Sequence, residues 1–496
     1  MTAPTTTGLP ARIAAVLALD PAADAVEFDG RWRPWGALAD TTAQVAALIN
    51  RPGAEVGILL RNRPASIGLL LGVLRAGGCV VTINPGRGRE RTRDDIAGLD
   101  LPVLAGERAD LADLVPAGAR ATRVAATDLG APVTVEQGAG GSADNGRPGV
   151  AVRMLTSGTT GPPKRIDLTY QTLERVLVGA KHYESNREAD LRLRKGVAVV
   201  NSPLVHLGGL FRVLQCVSDG RSFSLLERFT VEGWVDAVRR HRPATASLVP
   251  AALRMVLEAD VDPADLASLR SVVSGTAPLD PDDADAFIAR YGVPVLVSYA
   301  ATEFGGGVAG WNIDDHRGFW ATKRGSVGRA HAACELRVVD PESGEPVGAD
   351  VEGVLEVKAG QLGDGGGWVR TTDLARIDDD GFLFILGRAD QAIIRGGFKV
   401  RPDDIRAVLE RHPAVRGAAV VSRADRRLGA VPVAAVELRA GAAAVGPDDL
   451  LAHAAAQLAR YELPAEIRIV DALPRTDSAK VDLVAVSALL GTESGA

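Results

Sequence analysis

Short apolar runs alternate with longer amphipathic segments along the first two thirds of the chain. Glu55–Leu60 predicts a strand, Pro64–Ala76 predicts a helix that ends at two glycines, and Cys79–Ile83 predicts the next strand. A strand, a helix and a second strand at this spacing favour a parallel βαβ unit. The same alternation recurs later, with helices predicted over 234–242 and 251–259 and strands over 245–249, 271–274 and 293–299.

The pattern changes after Cys334, where short alternating strands with Gly and Asp turns predict a small β-barrel-like subdomain. A compact α+β unit follows, with helices predicted over 402–412 and 447–460 and strands over 418–422 and 431–438. We therefore expect an α/β multidomain fold. In this fold we expect residues 1–389 to form a large N-terminal domain of two α/β subdomains plus the β-barrel-like subdomain, and residues 390–496 to form a small mobile α+β C-terminal domain.

Composition narrows the class of protein. With 496 residues, of which 46% are hydrophobic, the chain is long enough for two or more cores. A net charge of -6 gives no reason to expect a nucleic acid or an anionic membrane as partner. Three widely spaced cysteines argue against a disulfide framework or a zinc site. Without a signal-peptide pattern at the N-terminus, we expect a cytoplasmic monomer or homodimer.

The most informative segment is Met154–Lys164, with the sequence MLTSGTTGPPK. Its hydroxyls, its glycine N–H groups and its lysine can all face phosphate oxygens. The spacing is not that of a Walker loop, and a surface turn between strands is the alternative interpretation. The candidate phosphate-binding residues are Thr156, Ser157, Gly158, Thr159, Thr160, Gly161 and Lys164.

This loop resembles the signature of the adenylate-forming superfamily of acyl-CoA synthetases, luciferases and nonribosomal adenylation domains. Further segments resemble other elements of that family in the family's order: Pro203–His206 with Gly208 and Gly209, Ser274–Leu279, Ser298–Glu303, Arg370–Asp373, Gly381–Asp390 and Pro474–Lys480. Ordered matches of this kind make chance implausible. The resemblance implies an active site at the junction of the two predicted domains, with ATP and Mg²⁺ as cofactors.

The resemblance implies a nucleotide site from several segments. Tyr299 would offer a flat face to the adenine, Asp373 would accept hydrogen bonds from the ribose hydroxyls, and Arg388 would reach ribose or phosphate. An ordinary hairpin aspartate and an exposed structural arginine are the alternative interpretations of the last two. The other residues assigned to this site are Gly275, Thr276, Ala277, Pro278, Ser298, Ala300 and Ile385.

The resemblance also assigns catalytic roles. Glu303 would bind magnesium and Thr302 would donate a hydrogen bond to phosphate. Lys480 would bridge the acid's carboxylate and the α-phosphate. His206 would gate the acyl site or order the carboxylate, although a lone histidine is more often a packed core residue. Without their motifs, Glu303 and Lys480 would be expected to be solvated surface charges.

Two segments of the C-terminal part resemble conformational elements of the family. Asp390 would be the hinge about which the C-terminal domain rotates, with a plain linker aspartate as the alternative. Gly397, within Gly396–Val400, would line the tunnel of the incoming thiol, where glycine permits close approach.

Some positions depart from the family pattern and leave the substrates open. They are Arg165, Tyr170, Ala300, Ala479 and Leu483. A methyl group at Ala300 is expected to narrow the acid pocket. We expect ATP-dependent activation of a small-molecule acid to an acyl-adenylate, then transfer to coenzyme A. The alternative acceptors are a carrier protein and an amine. An alternative reaction is the activation of nitrite for diazotisation, and an alternative class is a catalytically silent nucleotide-binding protein.

Overall fold

A computed structural model describes residues 8–49, 51–116, 118–136, 146–155, 164–179, 191–363, 366–442, 445–476 and 480–492. The chain divides into two compact units. The first comprises residues 1–156, 163–335 and 359–367, and the second comprises residues 157–162, 336–358 and 368–496. Within the described ranges, no helix is long and apolar enough to cross a bilayer.

The described helices and strands follow one another in chain order. The helices are α1 (Leu9–Leu17), α2 (Trp35–Leu48), α3 (Pro64–Arg75), α4 (Arg89–Leu99), α5 (Arg108–Leu114), α6 (Tyr170–Gly179), α7 (Leu207–Ser218), α8 (Val231–His241), α9 (Pro250–Glu258), α10 (Pro281–Tyr291), α11 (Ile313–Phe319), α12 (Pro402–Glu410), α13 (Pro447–Ala455) and α14 (Leu483–Leu489).

The strands are β1 (Asp24–Phe28), β2 (Arg31–Pro34), β3 (Glu55–Leu59), β4 (Cys79–Ile83), β5 (Val103–Gly106), β6 (Thr122–Ala125), β7 (Thr134–Glu136), β8 (Val150–Leu155), β9 (Arg165–Thr169), β10 (Arg194–Val200), β11 (Arg221–Leu225), β12 (Thr245–Ser247), β13 (Ser271–Ser274), β14 (Val295–Ala301), β15 (Gly306–Gly310), β16 (Arg329–Ala330), β17 (Cys334–Val339), β18 (Gly353–Ala359), β19 (Val369–Ile377), β20 (Leu383–Arg388), β21 (Ile393–Arg395), β22 (Phe398–Val400), β23 (Val415–Asp425), β24 (Gly429–Leu438) and β25 (Glu466–Val470).

The first βαβ unit is confirmed. Strands β3 and β4 are parallel, with Glu55 opposite Cys79 and Leu59 opposite Ile83. They lie inside a seven-stranded sheet of order β7-β6-β5-β3-β4-β8-β9. Helix α3 is buried along almost its whole length because it packs against α1, α2 and this sheet, which explains why its sequence is apolar on every face.

Two further sheets complete the first unit. One has the order β10-β11-β1-β2, in which β10, β11 and β1 are parallel. The other has the order β12-β13-β14-β15-β16, and its direction changes from parallel to antiparallel after β14. Strands β12, β13 and β14 lie at or near the positions 245–249, 271–274 and 293–299 where the sequence predicts strands, whereas β1, β10 and β11 were not predicted.

The second unit contains two sheets. The region predicted as a β-barrel-like subdomain forms a four-stranded sheet of order β17-β18-β19-β20. The α+β region forms a sheet of order β22-β21-β24-β23, to which β25 adds parallel to β24. The apolar side chains between this sheet and helices α12 and α13 make a core of their own.

The sequence prediction errs at the end of this unit. The helix predicted over 447–460 ends at Ala455, and the N–H of Gln457 donates to the carbonyl oxygen of Ala454, three residues back, which tightens the last turn. The N–H of Ala459 then donates to the carboxylate of Glu462, which closes a turn. Strand β25 follows this turn and was not predicted.

Candidate functional site

A turn after β10 carries the predicted acyl-site gate, Pro203–His206. The N–H of Leu204 donates to the side-chain oxygen of Asn62 at 2.8 Å. The side-chain nitrogen of Asn62 donates to the carbonyl oxygens of Ser202 at 3.0 Å and of Leu226 at 3.1 Å. The turn is therefore held by a residue that lies about 140 positions earlier in the sequence.

His206 occupies the N-cap position of α7, with φ -109° and ψ 152°. Its N–H donates to the carbonyl oxygen of Pro203 at 3.1 Å, so the turn closes on itself just before the helix begins. A Cβ at Gly209 would lie 2.2 Å from that same carbonyl oxygen, whereas one at Gly208 would meet nothing within 4 Å. Glycine at 209 therefore allows the helix to start against the turn.

The predicted adenine-side turn follows β13. A Cβ at Gly275 would lie 2.9 Å from the hydroxyl of Ser298 and 3.0 Å from its carbonyl oxygen, so the turn contacts β14 directly. Thr276 has φ 72°, a strained conformation for a β-branched residue. The hydroxyl of Ser274 is buried and has no hydrogen-bond partner among the residues the structure describes. The structure thus brings two predicted segments, 275–278 and 298–300, side by side.

Strand β14 and the single 3₁₀ turn Thr302–Phe304 carry the predicted aromatic–Thr–Glu element. The ring of Tyr299 packs against Phe304 with 6.2 Å between centroids. Ala300 is exposed and lies opposite Gly307, next to an irregularity in the β14–β15 ladder. Glu303 is exposed at the turn, where its carboxylate is accessible to a ligand.

The predicted phosphate loop lies mostly outside the described residues, since Thr156, Ser157, Gly158, Thr159, Thr160 and Gly161 all fall in the gap 156–163. The two residues that bound it are described. Leu155 ends β8 and lies opposite Arg165, the first residue of β9. Lys164 is exposed immediately before Arg165.

Arg165, a departure from the family pattern, has a structural role. Its guanidinium donates to the carbonyl oxygen of Thr82 at 2.9 Å and to both carboxylate oxygens of Asp95 at 2.9 and 2.7 Å. Only 9% of its side chain is exposed. The arginine therefore anchors the start of β9 to β4 and α4, a role that a glycine could not fill.

Tyr170, the second departure, is also explained by packing. Its hydroxyl donates between the carbonyl oxygens of Gly78 at 2.7 Å and of Leu74 at 3.1 Å, and joins α6 to the end of α3. Burial raises the pKa of this phenol above its usual value, so the group stays protonated as a donor.

In the second unit, Asp373 and Arg388 are opposite each other across the antiparallel pair β19–β20. The N–H of Asp373 donates to the hydroxyl of Thr371 at 3.0 Å. The guanidinium of Arg388 donates to both carboxylate oxygens of Asp390, at 2.9 and 2.7 Å. The predicted ribose and hinge residues thus form one cluster, while Ile385 lies three residues before Arg388 on the same strand.

Gly396 and Gly397 form the turn between β21 and β22, with φ 58° and 91°. Such values favour glycine, which explains both residues without reference to a ligand. The exposed ring of Phe398, next in sequence, stacks on Tyr461 at 4.7 Å between centroids.

Lys480 closes a loop whose residues 477–479 lie outside the described part of the chain. Its carbonyl oxygen accepts a hydrogen bond from the N–H of Thr476 at 2.8 Å, and the N–H of Asp482 donates to the carbonyl oxygen of Pro474 at 2.9 Å. The backbone at Lys480 is therefore fixed on both sides of the loop. Leu483, a further departure, begins α14.

The residues around Glu303 are compatible with magnesium. Mg²⁺ commonly takes one or two carboxylates and completes its coordination with water and substrate phosphates. Within the described ranges, no three His, Cys, Asp or Glu side chains cluster in a way that would form an all-protein metal cage. A single exposed carboxylate such as Glu303 is the donor set that a nucleotide-bound magnesium ion requires.

The thiols of Cys79 and Cys334 do not suit nucleophilic chemistry. Cys79 is buried within β4, and this burial raises its pKa to about 12. Burial also raises the pKa of Cys334. A thiol that stays protonated at neutral pH is a poor nucleophile.

Sequence reasoning missed Asn62 and Asp95, which support the site without belonging to a motif. Asn62 had one signal, a polar residue between a buried strand and the first proline of a helix. Asp95 had none, because its partner Arg165 is distant in sequence and is itself unusual.

Two protein-family models match most of the chain. A family model described as "AMP-binding enzyme" matches residues 14–365, and one described as "AMP-binding enzyme C-terminal domain" matches residues 404–480. 4-Coumarate–CoA ligase 1 of Oryza sativa subsp. japonica is 28% identical over 465 residues, covering 87% of this chain and 82% of that protein.

Two solved structures extend the comparison. The amide bond synthetase McbA from Marinactinospora thermotolerans is 26% identical with a TM-score of 0.77, covering 97% of this chain and 99% of that one. O-succinylbenzoate coenzyme A synthetase (MenE) from Bacillus subtilis, in complex with ATP and magnesium ion, is 24% identical with a TM-score of 0.75. That match covers 95% of this chain and 98% of the other.

Proposed function

The chain belongs to the AMP-binding enzyme family, and we propose that it joins a carboxylic acid to the thiol of coenzyme A through an acyl-adenylate. A carboxylate oxygen attacks the α-phosphorus of ATP, and the bond to the β-phosphate breaks to release pyrophosphate. The thiol sulfur then attacks the acyl carbon, the bond to AMP breaks, and the thiol proton is lost to solvent.

The position of Asp373 opposite Arg388 on the adjacent strand is the observation that carries the proposal. A carboxylate and a guanidinium on adjacent strands offer an acceptor for two ribose hydroxyls and a cation for phosphate. Arg388 also pairs with Asp390, the proposed hinge, so nucleotide binding and hinge geometry would share one side chain. In this proposal residues 1–389 form the adenylation domain and residues 390–496 the mobile C-terminal domain.

The chemistry requires cations because two anions must approach each other. Lys480 would bridge the carboxylate and the α-phosphate, while Lys164 and the hydroxyl of Thr302 would bind the other phosphate oxygens. Glu303 would hold Mg²⁺, which supplies positive charge at the phosphates when it is bound. His206 would order the acid.

An amine acceptor is the second candidate. It is supported by the 26% identity to an amide bond synthetase over nearly the whole of both chains. A nitrogen nucleophile could attack the same acyl-adenylate, so the first half-reaction is unchanged. The sequence also allows a carrier protein as the acceptor, and it allows nitrite as the acid that is activated.

The test is ATP–pyrophosphate exchange across a panel of short, medium, long-chain, aromatic and amino acids, with nitrite included. Each reaction is repeated with coenzyme A and with hydroxylamine. We expect exchange with an organic acid and a coenzyme A thioester as product. Exchange without a thioester product would indicate that the acceptor is an amine or a carrier protein. A complete lack of exchange with every acid in the panel would contradict the proposal.

A pair of variants links exchange to this site. Asp373→Ala should raise the KM for ATP by about 100-fold, because a ribose contact of two hydrogen bonds is lost. Asp350→Ala is the matched control, since that exposed carboxylate lies in the turn before β18 and pairs with Arg376 of β19. It should leave the KM for ATP within about twofold. Equal effects of both variants would argue against the ribose role.

A further inference from the structure

The side chain of Asn62 lies where the ends of three strands meet. It follows β3 and is 6% exposed. Its three hydrogen bonds go to residues just after β10 (Ser202 and Leu204) and just after β11 (Leu226). Because β3 belongs to one sheet and β10 and β11 to another, a single amide joins the carboxyl ends of two sheets. In open α/β sheets this edge is where ligands bind.

The connection continues from Asn62 to His206. Asn62 fixes the N–H of Leu204, and the N–H of His206 in turn donates to the carbonyl oxygen of Pro203. Helix α7 begins directly after His206, with Gly209 against Pro203. The path is short: one hydrogen bond joins the Asn62 side chain to the N–H of Leu204, and one backbone hydrogen bond joins His206 to Pro203 within the same turn. The backbone position of His206 therefore depends on the amide of Asn62.

We propose that Asn62 is a positioning residue for the acid: it fixes the turn Pro203–His206 so that His206 meets the acid's carboxylate. This inference rests on the proposed function, which assigns His206 to the acid. Asn62 does not contact the reacting atoms in this role. It acts on the binding of the acid and not on the binding of ATP.

The test is Asn62→Asp in the full chain. The change preserves size and the acceptor for Leu204, but removes both N–H donors and sets a carboxylate oxygen against two carbonyl oxygens. We expect the KM for the acid to rise by about tenfold to 100-fold, because His206 would be misplaced relative to the acid. The KM for ATP should stay within about twofold of the wild-type value. The acid KM should recover in part as the pH falls, because a buried carboxyl has a raised pKa and donates a hydrogen bond when protonated.

Gln44→Glu is the matched control. Gln44 is also a side-chain amide that holds a distant loop, accepting from the N–H of Val133 at 2.8 Å and donating to the carbonyl oxygen of Ala131 at 3.4 Å. The same loss of N–H donors there should lower the melting temperature. It should leave the KM for the acid unchanged.

Amide hydrogen exchange separates this inference from the proposed function. Faster exchange over residues 202–210 in Asn62→Asp, with no such change in Gln44→Glu, is expected even before a substrate is known. Unchanged exchange in that segment overturns the inference, and so does an equal rise in the KM for acid and ATP. Failure of the wild-type protein to exchange pyrophosphate with any acid instead contradicts the proposed function.

Discussion

At the scale of single residues, the candidate site combines groups that motifs reveal with groups that only the fold reveals. Lys480 and Asp373 were identified from their neighbours in sequence. Asn62 and Arg165 act through hydrogen bonds to partners 70 or more positions away, which no local pattern encodes. A motif therefore suggests the chemistry of a residue, but it does not predict which other residues hold that residue in place.

Lys480→Ala should slow adenylation by orders of magnitude and largely spare thioester formation. The lysine would neutralise charge where the carboxylate meets the α-phosphate, and removal of such a group typically costs about 100-fold to 1,000-fold in rate. The measurement is ATP–pyrophosphate exchange beside thioester formation from synthetic acyl-adenylate. Equal loss in both half-reactions would contradict the assigned role.

His316 should make the stability of the protein depend on pH. Its ring stacks on Trp320 at 4.8 Å, and its Nε2 is buried without a hydrogen-bond partner among the described residues. Burial lowers its pKa below the ordinary 6.5, although the nearby carboxylate of Asp285 opposes this. Below pH 6.5 the unfolded state thus binds more protons than the native state, so the free energy of unfolding falls as the pH falls.

His316→Phe tests this directly, since phenylalanine preserves the stack and cannot be protonated. We expect the loss of melting temperature between pH 7.5 and pH 5.5 to be smaller in the variant than in the wild type, by about 2 °C or more. An unchanged pH dependence would mean that other groups, such as His412, whose pKa burial also lowers, account for it.

At the scale of elements, prediction succeeded where apolar runs were long. The βαβ unit and the strands near 245–249, 271–274 and 293–299 were predicted because buried parallel strands are largely apolar, whereas the parallel strands β1, β5, β6, β10 and β11 were not predicted. Strand β25 was missed because its apolar residues, Ile467 and Ile469, alternate with charged ones over only five positions. The end of α13 was missed because the residues beyond it still favour a helix and a local capping turn overrides them.

The start of α7 offers a paired test. In Gly209→Ala the new methyl group would lie 2.2 Å from the carbonyl oxygen of Pro203, so the helix or the turn must shift. We expect a loss of about 1–3 kcal/mol in the free energy of unfolding, as for overpacking. Gly208→Ala, with nothing within 4 Å, should be neutral or stabilising by up to about 1 kcal/mol. Equal denaturant midpoints for the two variants would refute this account.

At the scale of the whole molecule, each unit has its own clusters of buried apolar side chains. Within the second unit, the cluster that includes Ile405, Val436 and Leu450 lies entirely after residue 390. A second cluster, which includes Val433 and Val486, lies on the other side of the same sheet. The ion pair of Arg401 with Glu352 links this part to the sheet β17–β20. Burial of apolar area on both faces of a sheet should be sufficient for independent folding.

A fragment of residues 391–496 should therefore fold alone. It retains β21 to β25, both core clusters and the buried Glu437, whose carboxylate accepts from Arg416 and from the N–H of Leu473. We expect cooperative unfolding in denaturant, with dispersed amide resonances in solution. Val436→Ala should lower its stability by about 2 kcal/mol, because a fully buried valine is truncated. A fragment without a cooperative transition would place the boundary earlier, so that the sheet β17–β20 belongs to the same folding unit.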